Sequence, residues 1–239
     1  MCAEEEGAGA ALLRALLAPR PLAELSRARR ERRPLMVRGA VERFARVGPP
    51  SADLGAVRAW LAGYSRSVRR ARARSRGPVA FEPLPAPRRR SLAPGPGDWW
   101  RIDHLEGHFR RSREAYEALV AWFGGGLGTG ITGFLHGPET WVPRHADGVS
   151  LLVLQLFGVR RWRLEANGEP PAGLWDEVAW GPREGAGWDA AFGPGAETWT
   201  LRPGALLFLP RGHWHAVRSA ETSFALSVSL PEPGLRSAL

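Results

Sequence analysis

The sequence predicts a mainly β protein, a barrel or jelly roll with a helical N-terminal extension. Two observations support this prediction. Apolar residues recur at helical spacing in the first half, and in the second half they form short runs separated by Gly/Pro-rich turns. The 239 residues are enough for one sizeable core. We expect residues 1–126 to form a helical and mixed region that packs on a barrel of residues 127–239, in one compact unit.

The first half contains patterns for four helices and one short strand. Residues 7–31 predict two short helices, interrupted by Pro19 and Pro21, and residues 34–37 predict a strand. Ser51 is the predicted N-cap of the next helix, whose apolar residues follow at helical spacing: Leu54, Val57, Trp60 and Leu61. The clearest helix spans 110–123 and ends at the glycines from Gly124 onward.

Six strands are predicted in the second half from apolar runs bounded by turn residues. They cover residues 131–135, 150–157, 161–165, 197–201, 205–209 and 224–230. Many short strands after a helical segment are typical of a barrel or jelly roll.

Charge and cysteine content exclude some classes of protein. The net charge is +9, and all 33 basic residues are Arg. The single Cys2 excludes a disulfide framework within one chain. No apolar run approaches the length of a membrane span, and the N-terminus is acidic where a secretory leader is basic. We therefore expect a soluble, cytoplasmic protein with no membrane partner.

Arginine is concentrated between residues 66 and 90. Arg70, Arg72, Arg74 and Arg76 alternate, which would place them on one face of a strand. Such a face can contact phosphate or an acidic peptide, but single-sign runs more often face only solvent. Nucleic acid is therefore not the favoured partner.

His145 and Asp147 form the first candidate metal-binding element. Residues at i and i+2 on a strand point to the same face, so the imidazole and the carboxylate can bind one ion together. Alone, this spacing is weak evidence because it arises easily by chance.

The second element is the segment 209–215, Leu-Pro-Arg-Gly-His-Trp-His. An apolar strand runs into a Pro/Gly turn that presents His215 at the start of the next strand, toward the earlier pair. Two His and one carboxylate on one face suit non-haem Fe(II), because the remaining positions stay open. His213 is the alternative ligand, although its place nearer the turn favours a neighbouring role. The other three histidines, His104, His108 and His136, have no partner at useful spacing and are expected at the surface or satisfied in the core.

The third element is a predicted strand pair that meets at Gly158. Arg160 and Arg161 open the second strand and alternate in direction, so one should point inward. An inward Arg beside the metal would bind a carboxylate through two hydrogen bonds.

Here the sequence resembles a known family. The string HADGVSLLVLQLFGVRRWRL is similar to the first metal-binding strand pair of the Jumonji C (JmjC) oxygenases, closest to their ribosomal-oxygenase branch. The string WTLRPGALLFLPRGHWHAV is similar to the second half of the same pattern. With their surroundings, the two strings cover residues 130–230, whereas the first half of the chain resembles the family only loosely.

The resemblance implies a double-stranded β-helix of the cupin/JmjC type that uses Fe(II), 2-oxoglutarate and O2. Position by position, the iron ligands would be His145, Asp147 and His215. Arg160 falls where a basic residue pairs with the far carboxylate of 2-oxoglutarate, fifteen residues after the first ligand. Ser229, and with less support Thr132, fall where polar side chains help to hold the same molecule.

The branch carries a C-terminal dimerisation and winged-helix region, and the sequence ends at Leu239, soon after the last predicted strand. We therefore do not expect that region here. Trp141 is the one candidate for a substrate contact. The Trp-rich segment around Trp175, Trp180 and Trp188 is expected either to cover the pocket or to belong to the core, with a slight preference for the core.

Three hypotheses for function remain open at this point. The first is a 2-oxoglutarate-dependent hydroxylase acting on a C–H bond of a protein, peptide or small molecule. The second is a metal-dependent cupin dioxygenase or isomerase that does not use 2-oxoglutarate and gives Arg160 no special role. The third is a non-catalytic module that binds through the Arg-rich stretch.

Overall fold

The computed structural model of the chain describes residues 7–49, 53–64, 68–72, 81–84, 94–124, 130–166, 179–180 and 192–230. Four α-helices lie in the first half: α1 (Ala8–Leu17), α2 (Leu22–Arg30), α3 (Leu54–Ala62) and α4 (Arg110–Trp122). Two 3-10 turns accompany them, at Val41–Phe44 and Leu105–Gly107. No helix in these ranges has both the length and the apolar character needed to cross a bilayer.

The described residues also form thirteen strands. Four lie in the first half: β1 (Leu35–Val37), β2 (Val68–Arg72), β3 (Glu82–Pro83) and β4 (Asp98–Ile102). The other nine are β5 (Gly130–His136), β6 (Thr140–Ala146), β7 (Ser150–Phe157), β8 (Arg160–Glu165), β9 (Ala179–Trp180), β10 (Glu197–Leu201), β11 (Leu206–Leu209), β12 (Trp214–Ser219) and β13 (Ser223–Leu230).

The strands form two antiparallel sheets, which confirms the predicted jelly-roll architecture with a helical extension. The large sheet has the order β1-β11-β7-β13-β5-β4-β2-β3, and the small sheet has the order β10-β8-β12-β6-β9. Strands β1 to β4 come from the first half of the chain, so the large sheet continues beyond the barrel strands on both sides.

The central strands of the large sheet are buried on both faces. On β13, Phe224 and Leu226 face a cluster shared with the helices, whereas Ala225 faces a second cluster that contains residues of both sheets. Every residue of β13 is buried. This explains why β7 is a nearly continuous apolar run, whereas β13 alternates large apolar residues on one face with Ser and Ala on the other. The polar residues of β13 point between the sheets, where the cavity described below lies.

The helices pack on the outer face of the large sheet. α1 lies close to α4 at Gly9, where an added Cβ would be 2.2 Å from the carbonyl oxygen of Ala118. The predicted N-cap of α3 is wrong: the cap is Asp53, whose carboxylate accepts a hydrogen bond from the backbone N–H of Ala56. Asp53 precedes Ala56 by three residues, which is the spacing of an N-capping hydrogen bond. For this reason Asp53 caps α3 and Ser51 does not.

Several sequence predictions fall outside the described residues. These are the positions Arg74, Arg76, Arg88 to Arg90, Trp175 and Trp188, and the side chains of Arg72 and Trp180. Within the Arg-rich stretch, the structure describes the side chains of Arg69 and Arg70, which lie on β2.

Candidate metal centre

A β-bulge in β6 aims His145 into the space between the sheets. His215 of β12 pairs with His145, but Val217 pairs with Val142, so β6 has one residue more than β12 over this stretch. Val142 and His145 both line the cavity as a result, although they are three residues apart. Arg144 in the bulge faces away and forms an ion pair with Glu165 at 2.8 Å.

Asp147 follows β6 directly and is fixed by contacts with the turn that carries the second histidine. Its backbone carbonyl accepts a hydrogen bond from the N–H of Gly212 at 2.9 Å. One residue earlier, the N–H of Arg211 donates to the hydroxyl of Ser150 at 3.0 Å. Gly212 has φ +79°, the left-handed region that favours glycine at this position in the turn. The two sequence motifs are thus held together by hydrogen bonds that two backbone N–H groups of the turn donate.

The three predicted ligands converge. One ligand atom each from His145, Asp147 and His215 lie within 4.8 Å of one another. His215 Nε2 is 3.4 Å from Asp147 Oδ2, and the two imidazole centroids are 4.0 Å apart. Each Nδ1 lies near a backbone carbonyl, at 2.7 Å from Pro143 O for His145 and 3.0 Å from His213 O for His215. Donation from Nδ1 to these carbonyls leaves the lone pair on Nε2, the nitrogen that a metal would bind.

Burial keeps His215 neutral. The side chain is 2% exposed, and the Trp162 ring stacks on it at 5.4 Å. Burial, followed by repulsion from His145, lowers the pKa of His215 to about 3, against the opposite effect of Asp147. At neutral pH the imidazole can therefore accept a cation without first losing a proton.

The three side chains lie in a cavity of about 450 Å³ between the sheets. Arg160, at the start of β8, is 2% exposed and lines the same cavity, whereas Arg161 is exposed, as the alternation predicted. Burial lowers the pKa of Arg160 to about 9, so its guanidinium still carries a charge at neutral pH.

The Arg160 side chain is held on one side only. Nε donates to the hydroxyl of Ser223 at 2.9 Å, and Nη2 donates to the carbonyls of Phe134 at 2.6 Å and Ser223 at 3.1 Å. Nη1 makes no hydrogen bond to any residue in the described ranges. A buried guanidinium with an unused donor requires an acceptor from a ligand or solvent.

Polar residues of β5 and β13 line the cavity together with Arg160. Thr132 pairs with Ser227, and Ser229 lies two residues further along β13. All three are buried and line the cavity, which is where Thr132 and Ser229 were expected. Ser227 was not predicted, although alternation from Ser229 along the strand would have indicated it.

His136 corrects one sequence prediction. It was expected to be a surface or satisfied core histidine, but it is 2% exposed and lines the cavity, and its Nδ1 has no hydrogen-bond partner among the described residues. Burial and the charge of Arg160 lower its pKa well below the usual value. No local pattern indicates this, because the neighbours of His136 come from distant strands: Trp99 of β4 and Ser223 of β13 pair with it.

Trp141, the candidate substrate contact, is half-buried on β6 and does not line the cavity. It adjoins Val142, which points inward, so its own side chain lies on the other face of the strand. The cavity contains instead aromatic residues from the first half of the chain, Phe81 and Trp99, which sequence reasoning missed.

The donor set fits a non-haem iron site. Two imidazoles and one carboxylate on one side of an ion leave the opposite positions open to other ligands. The cavity offers space on that side, and apolar walls from Leu151, Val153, Trp162 and Val217 surround it.

Comparison with known families identifies the region that carries this site. Residues 129–237 match the family model described as the JmjC domain. The match includes all three candidate ligands together with Arg160 and Ser229, but not the strands of the first half.

Two curated proteins resemble the same part of the chain. Ribosomal oxygenase 2 of Rattus norvegicus is 32% identical over 114 residues, which cover 48% of this chain and 22% of that protein. The uncharacterized protein YxbC of Bacillus subtilis (strain 168) is 29% identical over 101 residues, 37% of this chain and 30% of that protein. The alignments thus span less than a third of either relative.

Solved structures share the fold over most of the chain. The X-ray structure of Escherichia coli YcfD aligns with a TM-score of 0.62 at 16% identity, covering 91% of this chain and 55% of YcfD. The structure of this ribosomal oxygenase in complex with cobalt and 2-oxoglutarate aligns with a TM-score of 0.52, covering 85% of this chain and 49% of YcfD. The likeness extends to the first half of the chain, beyond the region that the family model matches.

Proposed function

We propose that this chain, whose residues 129–237 match the JmjC domain model, is an Fe(II)- and 2-oxoglutarate-dependent oxygenase that hydroxylates a C–H bond. One observation carries the proposal. A facial set of two imidazoles and a carboxylate shares a cavity of about 450 Å³ with a buried, incompletely hydrogen-bonded guanidinium. The first group suits an iron ion, and the second suits the carboxylate of an organic acid.

His145, Asp147 and His215 would hold the iron. Their Nδ1 contacts with backbone carbonyls orient the two rings, and the bond between Gly212 and Asp147 fixes the spacing of the two motifs. Iron and 2-oxoglutarate together supply the oxidation of a C–H bond by O2, with release of succinate and CO2.

Arg160 would bind the far carboxylate of 2-oxoglutarate. Ser223 and the Phe134 carbonyl fix the guanidinium plane and leave Nη1 to the ligand, so little side-chain freedom is lost on binding. Thr132 and Ser229 lie on the same wall and would add hydroxyl donors. The charge of Arg160 is retained at neutral pH, because its pKa of about 9 lies above that range.

The apolar walls would exclude water and strengthen these polar contacts. Val142, Val153 and Val217 line the cavity beside the candidate ligands. In such surroundings the attraction between a guanidinium and a carboxylate is stronger than in water.

A protein or peptide is the substrate class that we propose. Support comes from the relatives that are named ribosomal oxygenases, one from rat and one from Escherichia coli. Two alternatives came from the sequence, a cupin enzyme without 2-oxoglutarate and an Arg-rich binding module. No observation on the described residues favours either over the oxygenase.

The test is succinate formation by the full chain with Fe(II), 2-oxoglutarate and O2, with and without peptide pools. Wild type should form succinate only when Fe(II) is present, and His145→Ala or Asp147→Ala should reduce the rate at least about 100-fold, because each removes a bond to the metal.

His104→Ala is the matched control, since His104 is exposed and lies outside the cavity. It should retain the wild-type rate. Unchanged succinate formation in the His145→Ala and Asp147→Ala variants would show that the metal site is wrong.

A further inference from the structure

The first half of the chain forms one wall of the cavity. Arg69 of β2, Phe81, and Trp99 and Arg101 of β4 all line it. The side chains of Arg69 and Arg101 are 36% and 33% exposed, whereas Arg160 is 2% exposed as a residue. The two arginines therefore lie at the solvent side of the cavity, and we call Arg69, Phe81, Arg101 and Asp103 the rim cluster.

The two arginines of the rim cluster lie directly opposite each other. Arg69 pairs with Arg101 across β2 and β4, and Trp99 is on the same face two residues earlier. Like charges at opposed positions of an antiparallel pair are unfavourable. A negatively charged group near the two guanidinium groups would offset this repulsion.

Asp103 supplies that charge only in part. Its Oδ2 accepts from Arg69 Nη2 at 2.7 Å and Nε at 3.0 Å, and its Oδ1 accepts from Arg101 Nε at 2.6 Å. Two guanidinium groups share one carboxylate, so the rim cluster keeps a net positive charge. Neither Nη group of Arg101, nor Nη1 of Arg69, donates to any residue that the structure describes.

Phe81 holds both guanidinium groups in place. The guanidinium carbons of Arg69 and Arg101 lie 5.2 and 5.7 Å from the centre of its ring. Phe81 in turn packs edge-on against Trp99 at 5.0 Å, and Trp99 contacts His136 at 5.7 Å. Stacking restricts the arginine side chains before a ligand arrives, which lowers the entropy lost on binding.

We propose that the rim cluster is a substrate subsite that binds the carboxylate of an Asp or Glu residue in a peptide substrate. The juxtaposition that carries the proposal is two opposed, aromatic-braced arginines with one shared carboxylate at the solvent side of the candidate iron cavity. Its role in selecting a substrate rests on the function proposed above.

The chemistry favours a peptide carboxylate over nucleic acid. Guanidinium forks match carboxylates through paired hydrogen bonds. A polynucleotide, by contrast, is held by cationic contacts repeated along its backbone. Arg70 lies on the opposite face of β2 and is paired with Asp98 at 3.1 Å. Arg69 and Arg101 are therefore the arginines of the described β2 and β4 residues that line the cavity, and they present one surplus charge and not a row of them.

Binding of matched peptide pools to the full chain tests the proposal. Each pool has an uncharged degenerate background and one fixed central residue: Asp or Glu, Lys or Arg, or Gln. Equilibrium dialysis with mass spectrometry measures the bound fraction, with and without Fe(II) and 2-oxoglutarate under anaerobic conditions. We expect the acidic pool to bind about tenfold more tightly than the Gln pool, as a charge-assisted hydrogen bond provides.

Substitutions test whether the rim cluster causes the preference for the acidic pool. Arg69→Gln and Arg101→Gln should each reduce the binding of the acidic pool at least about fivefold, and Arg101→Glu should favour the basic pool. The matched control is Arg110→Gln, because Arg110 is exposed on α4, pairs with Glu114 and lies outside the cavity. It removes the same charge from the basic surface and should leave the preference unchanged.

Equal binding of the three pools, preference for the basic pool, or no effect of Arg101→Gln beyond that of Arg110→Gln would overturn the proposal. Binding of a single-stranded oligonucleotide that depends on Arg101, with no binding of the acidic pool, would also overturn it. Failure of the oxygenase function has a different signature: the chain would not bind 2-oxoglutarate, yet the pool preference would persist.

Discussion

Burial decides the charge of the ionisable side chains inside the cavity. It lowers the pKa of His215 to about 3 and that of His136 well below its usual value, so both imidazoles are neutral at physiological pH. The same burial lowers the pKa of Arg160 only to about 9, so its guanidinium remains charged. One environment thus provides a neutral nitrogen donor for a cation and a cationic anchor for a carboxylate.

His136 should make the metal-free protein sensitive to acid. Its ring stays neutral in the folded chain, whereas in the unfolded chain it takes up a proton near pH 6.5, at about the ordinary histidine value. Below that pH the unfolded state binds more protons, so the free energy of unfolding falls as pH is lowered, and the contribution is fully present above that pH. His136→Gln should reduce this fall by up to about 1.4 kcal/mol per pH unit.

Urea denaturation of the metal-free full chain, at several pH values from about 5 to 8, measures this dependence. The exposed His104 provides the control His104→Gln. Equal pH dependence in wild type and His136→Gln would refute the assignment of a buried, neutral imidazole at this position.

Sequence reasoning identified the residues whose neighbours are close in the chain. The positions of His145, Asp147 and His215 near the ends of strands follow from spacing and turn residues. Alternation required one of Arg160 and Arg161 to point inward, and the family resemblance selected Arg160. His136 and the rim cluster were missed because their neighbours are brought together by pairing among β2, β4, β5 and β13, which no local pattern shows.

Among the elements, the turn between β7 and β8 fixes where Arg160 enters the cavity. Gly158 has φ +65°, and the amide of Gln155 donates to the carbonyls of Phe157 and Gly158 at 2.7 and 2.9 Å. Arg160 begins β8 two residues after this glycine. A different turn would change the direction of the arginine.

Gly158→Ala should destabilise the protein. An added Cβ would lie 2.3 Å from the carbonyl oxygen of Thr222, and a left-handed backbone is itself unfavourable for alanine. We expect the free energy of unfolding to fall by at least about 1–2 kcal/mol, measured by urea denaturation at neutral pH.

Gly195→Ala is the matched control, because an added Cβ there has no atom of another described residue within 4 Å. Its effect should stay within about 0.5 kcal/mol. If both variants were equally stable, the strained turn would not constrain β8.

The bulge in β6 could have been predicted from the sequence, although it was overlooked. Pro143 lies in the middle of this strand, and proline in a sheet is confined to edges, strand ends and bulges. That residue alone indicated an irregularity between Val142 and His145. Its consequence, that both side chains point inward, required the pairing with β12.

For the molecule as a whole, the barrel and the first half of the chain share one sheet and one site. The pairing of β4 with β5 continues the cavity wall from the region that matches the JmjC domain model into Trp99 and Arg101. A single apolar cluster includes residues of α1, α4 and β13. We propose that residues 1–126 and 127–239 form one compact unit. The sequence predicted that the first half packs on the barrel, and it predicted a strand at β1 and another over the alternating arginines of β2. It did not predict β3 and β4, since these strands are short and only partly apolar.

The central claim is that one cavity holds both Fe(II) and 2-oxoglutarate. An anaerobic titration of the Fe(II)-loaded full chain with 2-oxoglutarate, followed by optical absorption, tests it. Wild type and Arg161→Gln should develop an iron-to-keto-acid charge-transfer band, and Arg160→Gln should raise the Kd for 2-oxoglutarate about 100-fold by removing a buried charge pair. The absence of the band in the wild-type protein, or an equal Kd in the Arg160→Gln and Arg161→Gln variants, would contradict the proposed site.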